Sequence, residues 1–138
     1  MKTAFDTNVI SALWSAQPAA SQVVPVLTRA QEEGGLVIAA PVYVELLAHP
    51  KATQSYVDRF LAAAGIEVDF RIEEAVWRET ARAFCGYVER RRRSSGGHPK
   101  RLLVDFLIGA HAMLKADRLY TLDPGLYAQD FPNLKLMT

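Results

Sequence analysis

The stretch AFDTNVISAL, residues 4–13, decides how the rest of the chain is read. A short apolar run, TAF (3–5), meets an acid, Asp6, and a segment with helical spacing (7–15) follows at once. A strand that passes into a helix across one carboxylate is the kind of joint from which α/β sheets are built. Asp6 has an ordinary explanation as the cap of that helix. A sharper one requires other acids to arrive at the same place.

Working outward, four more apolar runs read as strands: LVIAA (36–40), IEV (66–68), RLYTL (118–122) and LKLM (134–137). Helical patterns fall between them, over 21–33, 42–48, 52–64, 72–93 and 102–115. EEGG (32–35) and AAAG (62–65) are helix stops, with glycine just past the last turn. In 72–93 the apolar residues Ile72, Ala75, Val76, Ala83 and Val88 recur at steps suited to a helix half facing a core. Short strands alternating with helices predict an α/β fold with a mostly parallel sheet covered on both faces. In such sheets ligands bind beyond the carboxyl ends of the strands.

The chain has 138 residues, half of them hydrophobic, enough for one domain (1–138) with a real core. Cys85 is the only cysteine, which removes intramolecular disulfides and cysteine-rich zinc sites. His49, His98 and His111 lack the close pairing of a histidine metal motif. The first twenty residues imitate a secretion signal weakly, but Asp6 and Asn8 interrupt the apolar stretch and no run approaches a membrane span. The expectation is a soluble, cytoplasmic protein.

Four acids stand at comparable places. Asp6 ends the first strand, Glu45 follows the second, Asp105 lies early in the helix LLVDFLIGAHAMLKA, and Asp123 ends the strand RLYTL. At about 100° per residue, Leu103, Phe106, Leu107, Ala110 and Leu114 share one face of that helix. Asp105 points away from it, in a row with Gly109 and Ala112, whose small side chains leave room for an ion or another backbone. Each acid also has a bland reading: Asp6 and Asp123 as caps, Asp105 as a complement to the helix dipole, Glu45 as a solvated side chain. Four caps need not converge, whereas four carboxylates at one end of a parallel sheet would. Their mutual repulsion is costly unless a cation offsets it, and ligation by oxygen alone suits Mg²⁺ or Mn²⁺. Sites of this kind point first to phosphodiester chemistry.

In order, FDTNVISAL, a Glu after the second strand, VDFLIGAHA and LYTLD resemble the motifs of PIN-domain ribonucleases, and the small size resembles the VapC toxins of VapBC toxin–antitoxin pairs. The likeness runs from residue 2 to about 136. It implies a three-layer α/β/α sandwich, frequent homodimers and an acidic metal site made by Asp6, Glu45, Asp105 and Asp123. Asp6 and Asp105 would be the most direct ligands, Glu45 would bind or orient a second metal or the attacking water, and Asp123 would complete the cluster. Thr7, Asn8 and Thr121 match supporting polar positions. Many members carry a further acid two places after the last one, where this chain has Gly125.

The run RRRRSSGGHPKR (90–101) holds six cations and no acid. Arg90, Arg91, Arg92, Arg93, Lys100 and Arg101 read either as a solvated helix terminus or as a phosphate-binding edge for RNA. His98 is a possible general acid, though a lone loop histidine is more often solvated. Trp14 and Trp77 suit a core or interface better than base stacking.

The leading expectation is a metal-dependent endoribonuclease, held inactive by a VapB-like antitoxin. A phosphoacceptor receiver domain is the second, weakened because Phe5 and Thr7, not a further acid, flank Asp6. A phosphatase opening on D-x-D is disfavoured by Asn8. The third is a non-catalytic RNA-binding domain whose acids serve as caps.

Overall fold

The first apolar run is β1 (Thr3–Phe5), the middle strand of a five-stranded sheet in the computed structural model, which describes residues 1–94 and 101–137. The chain continues through α1 (Thr7–Trp14), α2 (Ala20–Glu33), β2 (Leu36–Ala39), α3 (Ala40–Leu47), α4 (Gln54–Ala64) and β3 (Ile66–Asp69). Then come α5 (Glu74–Arg93), α6 (Leu103–Lys115), β4 (Arg118–Tyr120), α7 (Gly125–Ala128) and β5 (Leu136–Met137). Every strand pair is parallel, in the order β3-β2-β1-β4-β5, with Ala4 opposite Val37 on one side and Leu119 on the other. Helices cover the sheet in a three-layer α/β/α sandwich, as the alternation of strands and helices predicts. Among the described residues no helix is long and apolar enough to cross a membrane.

The strand order sets where a ligand can sit. From β1 the chain winds outward through β2 to β3, then returns to β1's other side as β4. The crevice at such a reversal, beyond the carboxyl ends of the two diverging strands, is the natural binding place of an open α/β sheet. Here it lies between the ends of β1 and β4, beside Asp6 and Thr121.

Both expected glycine stops form. Gly65 closes α4 in the left-handed region at φ 70°, where an L side chain is strained, and Gly34 closes α2. Thr53 caps α4 by accepting from the Tyr56 amide at 3.1 Å, so that helix begins at Gln54 rather than 52. α3 begins earlier than expected, at Ala40, because Pro41 suits a first helical turn. Of the run 118–122 only Arg118–Tyr120 forms the strand; the Thr121 amide makes a last bond to Met137 O at 3.4 Å before the chain turns away. Asp123 therefore lies in the loop beyond β4, not on the strand. The short α7 had no counterpart in the sequence patterns.

The two long helices correct the predicted faces. The buried stripe of α5 is Val76, Thr80, Ala83 and Tyr87, while Ala75 is exposed. In α6 every residue from Phe106 to Ala112 is buried, whereas Leu103 and Leu114 at its ends are exposed. α6 is covered on two sides, by the sheet and by α5, so its middle has no polar face. Trp14 is in the core, edge-on to His49, Tyr56 and Phe60, while Trp77 is half exposed.

Candidate active site

Asp6 occupies the joint between β1 and α1 and is buried. It is indeed the cap of α1: its Oδ1 accepts from the Thr7 amide at 2.8 Å. A cap would be complete with that bond, but Oδ2 accepts two more, from Thr121 Oγ1 at 2.9 Å and Tyr127 OH at 2.7 Å. Three of the carboxylate's roughly four lone-pair sites are thus taken. Burial pushes the Asp6 pKa up, the three hydrogen bonds oppose it, and the charge of Asp123 adds to the rise.

The supporting residues predicted from sequence form one network. Thr121 Oγ1 donates to Asp6 and accepts from the Asp123 amide at 3.0 Å and from Asn8 Nδ2 at 3.4 Å. That exhausts a hydroxyl's one proton and two lone pairs. Asn8 Oδ1 accepts from the Leu122 amide at 3.1 Å, so Asn8 clamps the turn after β4. Thr7 Oγ1 donates to Glu45 Oε1 at 2.6 Å and ties the half-buried Glu45 of α3 to the start of α1.

Asp105 lies in the first turn of α6, half buried. Burial raises its pKa first, then the charge of Asp6, with a smaller push from Asp123; the Arg101 cation opposes them. The charge of Asp123 thus reaches both Asp6 and Asp105, and that of Asp6 reaches Asp105. Asp123 is exposed at the rim, and a Cβ on Gly125 would stand 3.9 Å from Asp123 Oδ1. A further acid at that position would have stood beside Asp123. Among the described residues no three His, Cys, Asp or Glu side chains are gathered closely enough to enclose a metal ion by themselves.

The room expected beside Gly109 is filled. A Cβ there would lie 2.4 Å from Phe131 Cε2, so the small residue admits an aromatic ring, not an ion.

Two residues of the site were missed by sequence reasoning. Tyr127 is wholly buried in α7, and burial together with the Asp6 charge keeps its phenol protonated as a donor. A tyrosine four places after the last acid, in a stretch too short to show periodicity, was the only mark. Asp130 is also buried and outside every motif. It accepts from Arg101 Nη1 at 2.5 Å and pairs with Arg90 through its other oxygen. The Arg101 guanidinium lies over the Phe106 ring, 4.8 Å from its centroid.

The basic run is thereby divided. Arg90, Arg91, Arg92 and Arg93 make the last turn of α5, where cations complement the dipole. Arg90 and Arg101 are held by Asp130, Arg93 pairs with Glu89 at 3.3 Å, and Arg92 is exposed. Lys100 and His98 lie outside the described residues.

Comparison with known proteins agrees with this architecture. By fold the chain is similar to VapBC2 from Rickettsia felis bound to a DNA fragment from their promoter, with a TM-score of 0.69 and 20% identity over 99% of this chain and 98% of that one. It is also similar to VapBC-1 from nontypeable Haemophilus influenzae, with a TM-score of 0.67 and 20% identity over 99% and 97%. No curated protein matches it. The model of the PIN domain matches residues 4–132, from the middle of β1 to just past Phe131, and so takes in all four acids. The chain belongs to the PIN domain family.

Proposed function

We propose that this PIN-domain chain is a metal-dependent endoribonuclease that hydrolyses RNA phosphodiester bonds, and that it is the toxin of a type II toxin–antitoxin pair. The observation that carries the proposal is Asp6, buried at the reversal of the sheet and fixed by three donors, where the charge of Asp123 pushes its pKa up and its own charge pushes up that of Asp105. Carboxylates that raise one another's pKa favour a cation between them.

The donor set fits Mg²⁺ or Mn²⁺, being oxygen alone. Mg²⁺ commonly takes only one or two carboxylates and keeps several waters, so Asp6 and Asp105 suffice to hold it without a closed protein cage. When bound, such an ion supplies a lowered pKa for a water and a counter-charge for phosphoryl oxygens. The chain's own residues do the rest. Tyr127 and Thr121 hold Asp6 still. Glu45, with Oε1 engaged by Thr7, has Oε2 to take the proton of the attacking water. Asp123 would complete the acidic rim.

The arginines at the end of α5, with Lys100 and Arg101, would supply salt-dependent affinity for the RNA backbone. Asp130 gives two of them a fixed place, so Arg90 and Arg101 contribute field more than reach. The names of the fold neighbours favour a VapB-like antitoxin as partner, and a cytoplasmic homodimer suits that role. A non-catalytic RNA-binding domain is the second reading, favoured by the capping bond of Asp6.

The test is cleavage of a panel of structured RNAs with and without Mn²⁺. The wild type should cut only with metal, and Asp105→Asn should not cut. Equal cleavage by the two proteins would overturn the site.

A further inference from the structure

Next to the carboxylates lies a cleft of about 510 Å³ bounded by Gln22, Val26, Tyr120, Thr121, Leu122 and Pro124. It opens between α2 and the turn after β4. Thr121 belongs to both places: its hydroxyl donates to Asp6 Oδ2, and the same residue is a wall of the cleft. We propose that this cleft is a nucleobase subsite, taking one unpaired base of the RNA whose phosphodiester lies at the carboxylates. The inference rests on the nuclease reading and adds to it a determinant of sequence preference.

Charge decides first between the parts of a nucleotide. None of the six lining residues is charged, so the lining itself offers a phosphate no counter-charge. A base is neutral, with two apolar faces and a polar edge. Val26, Leu122 and Pro124 offer aliphatic walls, and the buried Tyr120 closes the cleft behind them. Gln22 brings a carboxamide, which carries donors and an acceptor together and matches the paired groups of a base edge. Single-stranded RNA is read in this way, by apolar contact on the faces and hydrogen bonds at the edge. The volume accommodates a base with its ribose.

Rigidity argues in the same direction. The Leu122 amide is bonded to Asn8 Oδ1 and the Asp123 amide to Thr121 Oγ1, so the wall is fixed before a ligand arrives and little conformational freedom is lost on binding. Those bonds also disfavour a peptide as occupant. The wall's amides at 122 and 123 are already committed, and β4 is paired on both edges, by β1 and β5, so an extended segment finds no strand to join.

The test uses the full chain and four uncharged probes: adenosine, guanosine, cytidine and uridine. Titration followed by amide NMR should shift Gln22, Thr121 and Leu122 with at least one nucleoside, and Val26→Trp, which fills the cleft, should abolish the shifts. Gln22 is exposed, so Gln22→Ala should keep the wild-type melting temperature. On RNAs differing at single nucleotides beside the cleaved bond, it should change the ratio of kcat/KM between best and next-best base by about ten-fold, the scale of one bidentate base contact. A wild type that cuts RNA while Gln22→Ala keeps its preference, and nucleosides cause no shifts, overturns the subsite alone. A wild type that cuts no RNA with Mn²⁺ overturns the nuclease reading and the subsite with it.

Discussion

The Tyr127 hydroxyl donates to Asp6 Oδ2 at 2.7 Å, joining the last short helix to the first strand across 121 positions of sequence. Tyr127→Phe keeps the buried ring and deletes only this bond. A hydrogen bond to a charged group contributes about 1.5–3 kcal/mol, so urea unfolding of the metal-free protein at neutral pH should show a loss of that size. Unchanged stability would mean that Asp6 does not depend on the phenol.

Ionised acids should weaken the metal-free fold. Asp6 and Asp105 both have folded-state pKa values raised above the ordinary 3.8. The folded state then binds protons more tightly than the unfolded one, and stability falls as pH rises from 3.8 through the raised values. Asp105→Asn removes one such penalty. Its melting temperature in EDTA should exceed the wild type's at pH 7, and the difference should close as pH falls toward 3.8. A variant less stable than wild type at pH 7 would contradict this.

Phe131 occupies the place that a side chain at position 109 would need. Gly109→Ala puts a methyl under 3 Å from three ring atoms of a fully buried residue, so the ring cannot simply swing away. Overpacking of this kind costs about 1–3 kcal/mol. Adding Phe131→Leu should recover part of the loss, which a double-mutant cycle in urea would measure as a favourable coupling. Strictly additive losses would argue against the contact.

Asp130 is a single buried carboxylate facing two arginines, one of them largely buried itself. Asp130→Ala strands both cations, and breaking a buried pair this way costs about 3–5 kcal/mol. Chemical denaturation should show it directly. A loss below 1 kcal/mol would place the arginines in solvent.

Much of the fold was legible because the short parallel strands are mostly apolar, and TAF, LVIAA and IEV stand out between helical patterns. The glycines at 34 and 65 were equally plain, since few other residues end a helix so cheaply. Helix faces were less so. The middle of α6, Phe106 to Ala112, is buried all round, and a face count cannot foresee a second covering layer. The family likeness marked Thr7, Asn8 and Thr121 as supporting positions one by one; that they bond to Glu45, Asp6 and the turn after β4 comes from the structure. Tyr127 and Asp130 escaped notice because they act through contacts more than a hundred and about forty residues away, which no local pattern records. Gly109 misled: a small residue beside an acid suggested space, when it marked a close approach.

Mn²⁺ binding by titration calorimetry addresses the shared-cation claim most directly. The wild type should bind, and Asp6→Asn and Asp105→Asn should each weaken binding at least ten-fold, because both carboxylates hold the same ion. If either variant keeps wild-type affinity while folded, the two acids do not share a cation and the proposed metal site is wrong.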